Sequence, residues 1–345
     1  MNKRPSPIAE LVLARWRSFY REPGVLFWSF GFPLVLAIAL GIAFRNRAPE
    51  PVMVAVQSGP GASEVEHALE GADDVRVRTL DEEAARAALR TGKVSIVVVP
   101  GSPRSYHFDA TRPESRLARA VVDDRLQRAD GRADVFESTD QLVTEPGSRY
   151  IDFLIPGLIG TGLMQGGLWG VGYVIVEMRT RKLMKRLLAT PMKKRDFLLA
   201  FVLVRALFLI VELPVLLLFA ALVFDVPMRG SAAFLVAVAT LGSLSFAGLG
   251  LLVASRAENI QTASGLINLA SLPMLIVSGT FFSSGRFPDV VQPFVRALPL
   301  TALNDALRAI MLDGAGINGI ATELAVLAGW GIASFVLALK LFRWR

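Results

Sequence analysis

Side chains suited to covalent or acid–base chemistry are scarce in this sequence. It holds no cysteine and two histidines, His67 and His107. That excludes a disulfide framework, a thiolate metal site and a cysteine nucleophile, and leaves too few imidazoles for a histidine metal cluster. Thr91-Gly92-Lys93-Val94-Ser95 has part of a phosphate loop without its frame. GxxxxGK[ST] requires glycine at 87 and serine or threonine at 94, where alanine and valine stand. HExxH, GxSxG and CxxC are absent. The carboxylates Asp73, Asp74, Asp123 and Asp124 fall in solvated helix and turn contexts, where acids are surface charge.

What remains is the chemistry of charge at a membrane boundary. The densest cationic segment is EMRTRKLMKRLLATPMKKRD, Glu177 to Asp196. Leu183, Met184, Leu187 and Leu188 share one side of a helix, Lys182, Lys185 and Arg186 ring the rest, and Thr190-Pro191 stops it. Two readings fit this spacing. One is a surface helix whose basic stems snorkel and set topology. The other docks its apolar face in a groove of a partner protein.

Polar groups inside apolar runs are the other pointers to function. Arg205 and Glu212 lie two turns apart on one helical face, placed either to pair or to snorkel to opposite ends. Asn268 sits mid-run further on. No run carries the chain of acids and histidines of a proton relay, so structural satisfaction is the expected role of all three. Gly160, Gly162, Gly166, Gly167, Gly170 and Gly172 line another run; they suit an apolar cargo and close helix packing equally.

The elements that must hold these residues follow from composition. Of 345 residues 53% are hydrophobic and 19% charged, with a mean hydropathy of +0.48. Soluble domains carry roughly a quarter charged residues. The apolar residues cluster in runs of about 20, the length of helix that crosses a bilayer core. Six spans are expected, near residues 25–44, 151–176, 197–224, 232–254, 262–282 and 320–339. A basic amphipathic helix (1–24) precedes the first. Its 20-residue apolar run, after so long a leader, reads as an uncleaved anchor rather than a signal peptide. Segment 283–319 is amphipathic and proline-punctuated, too polar to cross alone, so it is expected to be an outer re-entrant or amphipathic segment.

Residues 45–150 have a different character. Strand-like 52–56, 75–79 and 95–99 alternate with helix-like 63–69, 81–90 and 115–127, and Asp81 is placed as an N-cap. This predicts a small α/β domain between the first and second spans of an α-helical polytopic membrane protein. The domain holds 15 Lys/Arg against 18 Asp/Glu, so the formal net charge of +7 comes from the rest of the chain. On so apolar a chain, that excess is a topology signal rather than a nucleic-acid footprint. With the N-terminus inside, the short cytoplasmic flanks hold 17 Lys/Arg and the outer loops 225–231 and 283–319 hold 4. Both termini are then cytoplasmic, in the inner (plasma) membrane, and residues 45–150 face outward.

At this point the pattern resembles the permease subunits of type-2 ABC exporters. Glu177-x6-Met184-x2-Leu187-x2-Thr190-Pro191 is similar to that family's cytoplasmic loop. Ser278-Gly279-Thr280-Phe281-Phe282, Phe287-Pro288, Pro293 and Leu298-Pro299-Leu300-Thr301-x6-Arg308 are similar to its C-terminal pattern, with Ala302 where an aromatic is common. The resemblance implies two such subunits, identical or paralogous, on two ATPase subunits that carry the ATP and magnesium. It implies a connecting helix over 1–22 and a coupling helix over 179–190, with Arg179, Leu183, Met184, Leu187, Leu188, Thr190 and Pro191 meeting the ATPase. Glu177, Gly279, Phe281, Pro288, Pro299, Thr301 and Arg308 are its family positions here. The cargo it implies is moved outward; the chain itself binds no cofactor, metal or nucleic acid and catalyses nothing. A membrane-anchored enzyme lacks its residues, whereas a sensor or scaffold that binds a ligand through the outer domain is the alternative.

Overall fold

The computed structural model describes residues 7–21, 23–43, 51–70, 74–133, 135, 136, 138, 139, 147, 149–188 and 194–341. Two units emerge, one of Met1–Arg45 with Thr144–Arg345, the other Asn46–Val143. The larger unit begins with α1 (Pro7–Arg21), then α2 (Pro23–Leu26), a π-helical stretch Phe27–Gly31 and α3 (Phe32–Ala43). Trp16 on α1 stacks at 5.6 Å on Phe208, so the apolar face of this amphipathic helix is spent in part on the protein.

The smaller unit runs β1 (Val52–Gln57), α4 (Ala62–Leu69), β2 (Val75–Leu80), α5 (Glu82–Arg90), β3 (Ile96–Val99), β4 (Ser105–His107) and α6 (Pro113–Ala129). The sheet order is β2-β1-β3-β4; β1 is parallel to both neighbours and β4 is antiparallel to β3. Strand side chains alternate between faces. Val54, Val56, Ile96 and Val98 therefore pack under α4 and α6, against Leu69, Val122 and Leu126. Ala55 and Val97 face α5 through Ala85 and Ala88. Asp81 caps α5, accepting the Ala84 amide at 2.7 Å. β4 has no counterpart in the sequence reading. Three residues of an edge strand, two of them exposed, leave too little alternation to detect.

The larger unit resumes with α7 (Tyr150–Gly167), which continues through a π-helical stretch Leu168–Tyr173 into α8 (Val174–Thr180). Next come α9 (Leu183–Leu188), α10 (Lys194–Phe224), α11 (Ala232–Arg256) and α12 (Ile260–Val277). A 3-10 turn Ser284–Arg286, α13 (Gln292–Arg296), α14 (Pro299–Asp313), a 3-10 turn Ile317–Ile320 and α15 (Ala321–Leu341) complete it. Among the described residues five helices are long and apolar enough to cross a membrane: Tyr150–Thr180, Leu203–Phe224, Ala232–Arg256, Ile260–Val277 and Ile317–Leu341. The helix at the expected first span, Phe32–Ala43, is apolar but shorter.

Two expectations need correction. The fifth apolar helix stops at Val277, not 282, because Gly279 takes a positive φ of 72° and turns the chain. The cationic segment is not one helix over 179–190. α8 runs through Arg179 and ends at Thr180, Lys182 has a positive φ of 58°, and a new helix starts at Leu183. Within segment 283–319, α14 is buried along most of its length, from Pro299 to Leu312. Its core partners lie on α7, α11 and α15, with Leu154, Phe246 and Leu327 fully buried beside Leu303 and Leu307.

Candidate functional site

The residues singled out by sequence fall in three places. The first is the loop between Val174 and Lys194. Glu177 pairs with Arg181 one turn on, at 2.8 Å. Arg179 does not project outward: its Nη1 donates to the carbonyls of Ala254 and Ala257, each at 2.9 Å, at the end of α11. Met184 is 3% exposed and packs with Val171, Ile175, Phe201 and Ala263. Among the described side chains of this loop, Leu183, at 37% exposure, is apolar and open. The face proposed to dock thus divides, with Met184 spent on the bundle and Leu183 free to meet a partner. Leu187 and Leu188 lie in α9; Thr190 and Pro191 lie outside the described residues.

The second place is the seam between α7 and α10. Arg205 Nη1 donates to Glu212 Oε2 at 2.7 Å, and both side chains are almost fully buried. The alternative of snorkelling to opposite ends is not taken. Glycine makes the room: a Cβ on Gly166 would lie 2.5 Å from the Arg205 guanidinium carbon, and one on Gly162 3.1 Å from Glu212 Oε1. The neighbouring glycines serve helix contacts as well. Gly167 and Gly172 would strike α11 at Phe246 and Gly250 if they carried a Cβ, while Gly170 is open. Asn268, by contrast, is exposed on α12.

The third place gathers the C-terminal pattern into a buried polar knot. Arg308 lies over the Phe153 ring at 3.8 Å. It donates to the carbonyl of Gly279 at 2.8 Å and to Asp305 at 3.0 Å. Asn304 Nδ2 donates to the Ser278 carbonyl at 2.9 Å and to Thr280 Oγ1 at 3.1 Å. Thr280 also meets Thr161 Oγ1 at 3.2 Å, and Tyr150 donates its hydroxyl to the Phe281 carbonyl at 3.0 Å. Pro299 opens α14, Thr301 is buried beside it, and Pro288 accepts the Val291 amide in the preceding turn. Gly160 is what lets Asn304 in, because a Cβ there would overlap Asn304 Oδ1.

Sequence reading had Thr280 only as part of the C-terminal pattern and did not single out Asn304 or Thr161. Their one signal was polarity in apolar surroundings, and that is informative only once α14 is known to be interior. Near the same end of α7, Asp152 is buried and accepts from Arg149, whose pKa it raises by hydrogen bonding against the lowering effect of burial. Arg149 also donates to the Asp225 carbonyl at 2.9 Å, tying the start of α7 to the end of α10. Among the described residues no group of acids and histidines is placed to hold a metal ion.

Comparison with known proteins bears on these places. The profile of a family described as "ABC-2 family transporter protein" matches residues 23–340. The probable multidrug ABC transporter permease YbhS of Escherichia coli K12 is 23% identical over 335 residues, covering 89% of each chain. ABC transporter G family member 20 of Dictyostelium discoideum is 31% identical over 182 residues, which is 52% of this chain and 25% of that protein. Nodulation protein J of Bradyrhizobium diazoefficiens is 30% identical over 105 residues, 30% of this chain and 40% of that one.

Proposed function

The chain belongs to the ABC-2 family of transporter proteins, and on that premise we propose that it is the membrane permease of an exporter driven by separate ATPase subunits. The observation that carries the reading is the loop after α8. A short helix with an exposed leucine and flanking cations joins two membrane-length helices. It is too short to cross and too basic to enter lipid, so it is built to meet a partner at the membrane surface. The phosphate-loop frame is missing from the sequence, which assigns ATP and magnesium to that partner.

Six crossings complete this reading. The helical run from Pro23 to Ala43 is uninterrupted, and at 1.5 Å per residue it reaches about 31 Å. The Lys/Arg asymmetry then puts both termini and the basic loop in the cytoplasm and residues 45–150 outside. A second copy, or a paralogous permease, is supported by α12. Gln261, Gly265, Asn268, Leu272 and Ile276 form one exposed stripe along it, and an amide facing hydrocarbon is costly unless another chain meets it. The multidrug label of the bacterial relative supports a hydrophobic or amphipathic cargo.

Changing Leu183 to Asp, or Leu187 and Leu188 together to Asp, tests the docking loop. Burying one such side chain is worth roughly 1.5–3 kcal/mol, or about 10- to 150-fold in affinity. The expected result is normal membrane abundance with loss of the co-purifying ATPase and of transport. Retention of the ATPase at wild-type level refutes the reading. Loss of the protein from the membrane points instead to a surface-anchoring loop.

A further inference from the structure

Arg179 lies in the segment that the permease reading assigns to the ATPase contact, yet its Nη1 is committed inward. It bonds the carbonyls of Ala254 and Ala257, the last turn of α11 and the residue that caps it. The last carbonyls of a helix lack intrahelical partners, and a guanidinium supplies donors to them where the helix dipole also favours a cation. Met184, just past the turn, packs into the same cluster as Ala254 and Ala257. The loop is thus fastened to one end of α11 by hydrogen bonds and packing together.

The other end of α11 is fastened too. Immediately before the helix, the Arg229 amide donates to the Met311 carbonyl of α14 at 2.9 Å. Gly230 sits so close to the Ile310 carbonyl that a Cβ would overlap it. Further along, Gly242 leaves space for Leu303 of α14, 2.6 Å from where a Cβ would stand. Between these ties α11 runs 25 residues, about 38 Å. It holds neither a proline nor a π turn. Three of the helices around it do, with Pro156 and a π stretch in and after α7, Pro214 in α10 and Pro273 in α12, while α15 is as unbroken as α11. Proline and π turns are the usual places where helices bend. α11 is also packed against α7 and α15 along its length, which leaves it little freedom to bend.

We propose that Arg179 is a positioning residue that clamps the cytoplasmic loop to α11, making that helix the strut through which movement of the loop reaches α14 and the polar knot it carries. The proposal rests on the permease reading and specifies how the ATPase stroke crosses the membrane. Without the clamp, the loop moves and α14 does not follow.

The chain has no native cysteine, so single reporter sites can be introduced. Arg186→Cys reports on α9 and Ile317→Cys, an exposed residue just past α14, reports on the far end. Each carries an environment-sensitive fluorophore in the permease–ATPase complex in lipid nanodiscs, and the trigger is magnesium-ATP with orthovanadate. With Arg179 intact both sites respond. In Arg179→Met, which keeps the stem and removes the donors, the ATPase stays bound and site 186 responds as before, while the response at 317 falls at least tenfold. Arg179→Lys, able to reach one carbonyl, gives an intermediate response. An unchanged response at 317 in Arg179→Met overturns the proposal. So does loss of the ATPase from that variant, which would place Arg179 against the ATPase itself. If Arg179→Met fails to accumulate, Gly230→Ala loosens the opposite tie: loss of the 317 response alone supports the strut, and its retention refutes it. An unmutated chain that never holds an ATPase fails earlier, at the permease reading.

Discussion

The two units of this protein use the same ion pairs in opposite ways. In the α/β unit, arginine–aspartate contacts sit on the surface: Arg104–Asp130, Arg119–Asp123 and Arg128–Asp124 each keep substantial exposure. Water screens such pairs, and each is worth little. In the helical unit, Arg205 and Glu212 face each other at 2.7 Å with side chains only 5% and 7% exposed. Removing water makes their mutual attraction large, and their desolvation cost comparably large. The pair is therefore weak support for stability as a whole, but breaking it is expensive. The contrast shows that the surroundings of a charge pair, more than its geometry, decide what it is worth.

The largest expected effect breaks that contrast at its buried side. Glu212→Gln leaves a buried guanidinium uncompensated and costs about 3–5 kcal/mol, read as a lower Tm of the purified protein. Arg205→Met combined with Glu212→Leu restores most of the loss. Equal losses in the single and double variants would mean that the two charges are not the energetic unit. Next is Leu126→Ala in the core of the α/β unit, expected to cost about 2–5 kcal/mol. Calorimetry should show that loss in one transition only, because the two units have separate cores.

Gly160→Ala comes third. Its methyl group must displace Asn304, an overpacking cost of about 1–3 kcal/mol; adding Asn304→Ala should recover part of it. The smallest effect is at the surface. Hydrogen bonding from Arg104 holds the Asp130 carboxyl below its ordinary value of 3.8, and Arg128 and then Arg132 do the same for Asp124. A depressed carboxyl contributes stability above its unfolded pKa and loses it as pH falls through the folded one. The α/β unit should therefore keep a constant denaturation midpoint from pH 7 to about 5 and weaken below about pH 4. Arg104→Ala should lower the neutral-pH midpoint only slightly, because water screens the exposed pair, and should flatten the fall below pH 4; a neutral-pH drop comparable to that of Glu212→Gln would erase the contrast.

Local periodicity determined much of this protein. Hydropathy alone located the five membrane-length helices and the apolar segment before the α/β unit. Short continuous apolar runs found β1 and β3, alternation found β2, and Asp81 announced the start of α5. These signals are legible because each depends on a residue and its near neighbours in the chain. The Glu177 loop and the Pro299–Arg308 pattern were likewise readable as motifs, and they carried the family. Tertiary structure decided which side of each motif faces what. Spacing let Arg205 either snorkel or pair; the glycines of α7, pressed against α10, settled it as a pair. The same spacing put Met184 beside Leu183 on one apolar face, and packing buried the first while leaving the second open. Arg179 read as an outward cation until the end of α11 came within reach of it. The polarity of 283–319 showed only that it could not cross alone; α14 lies inside because Asn304 and Arg308 find carbonyl partners at the Gly279 turn. Partners distant in the chain satisfy these groups, and no local pattern encodes them.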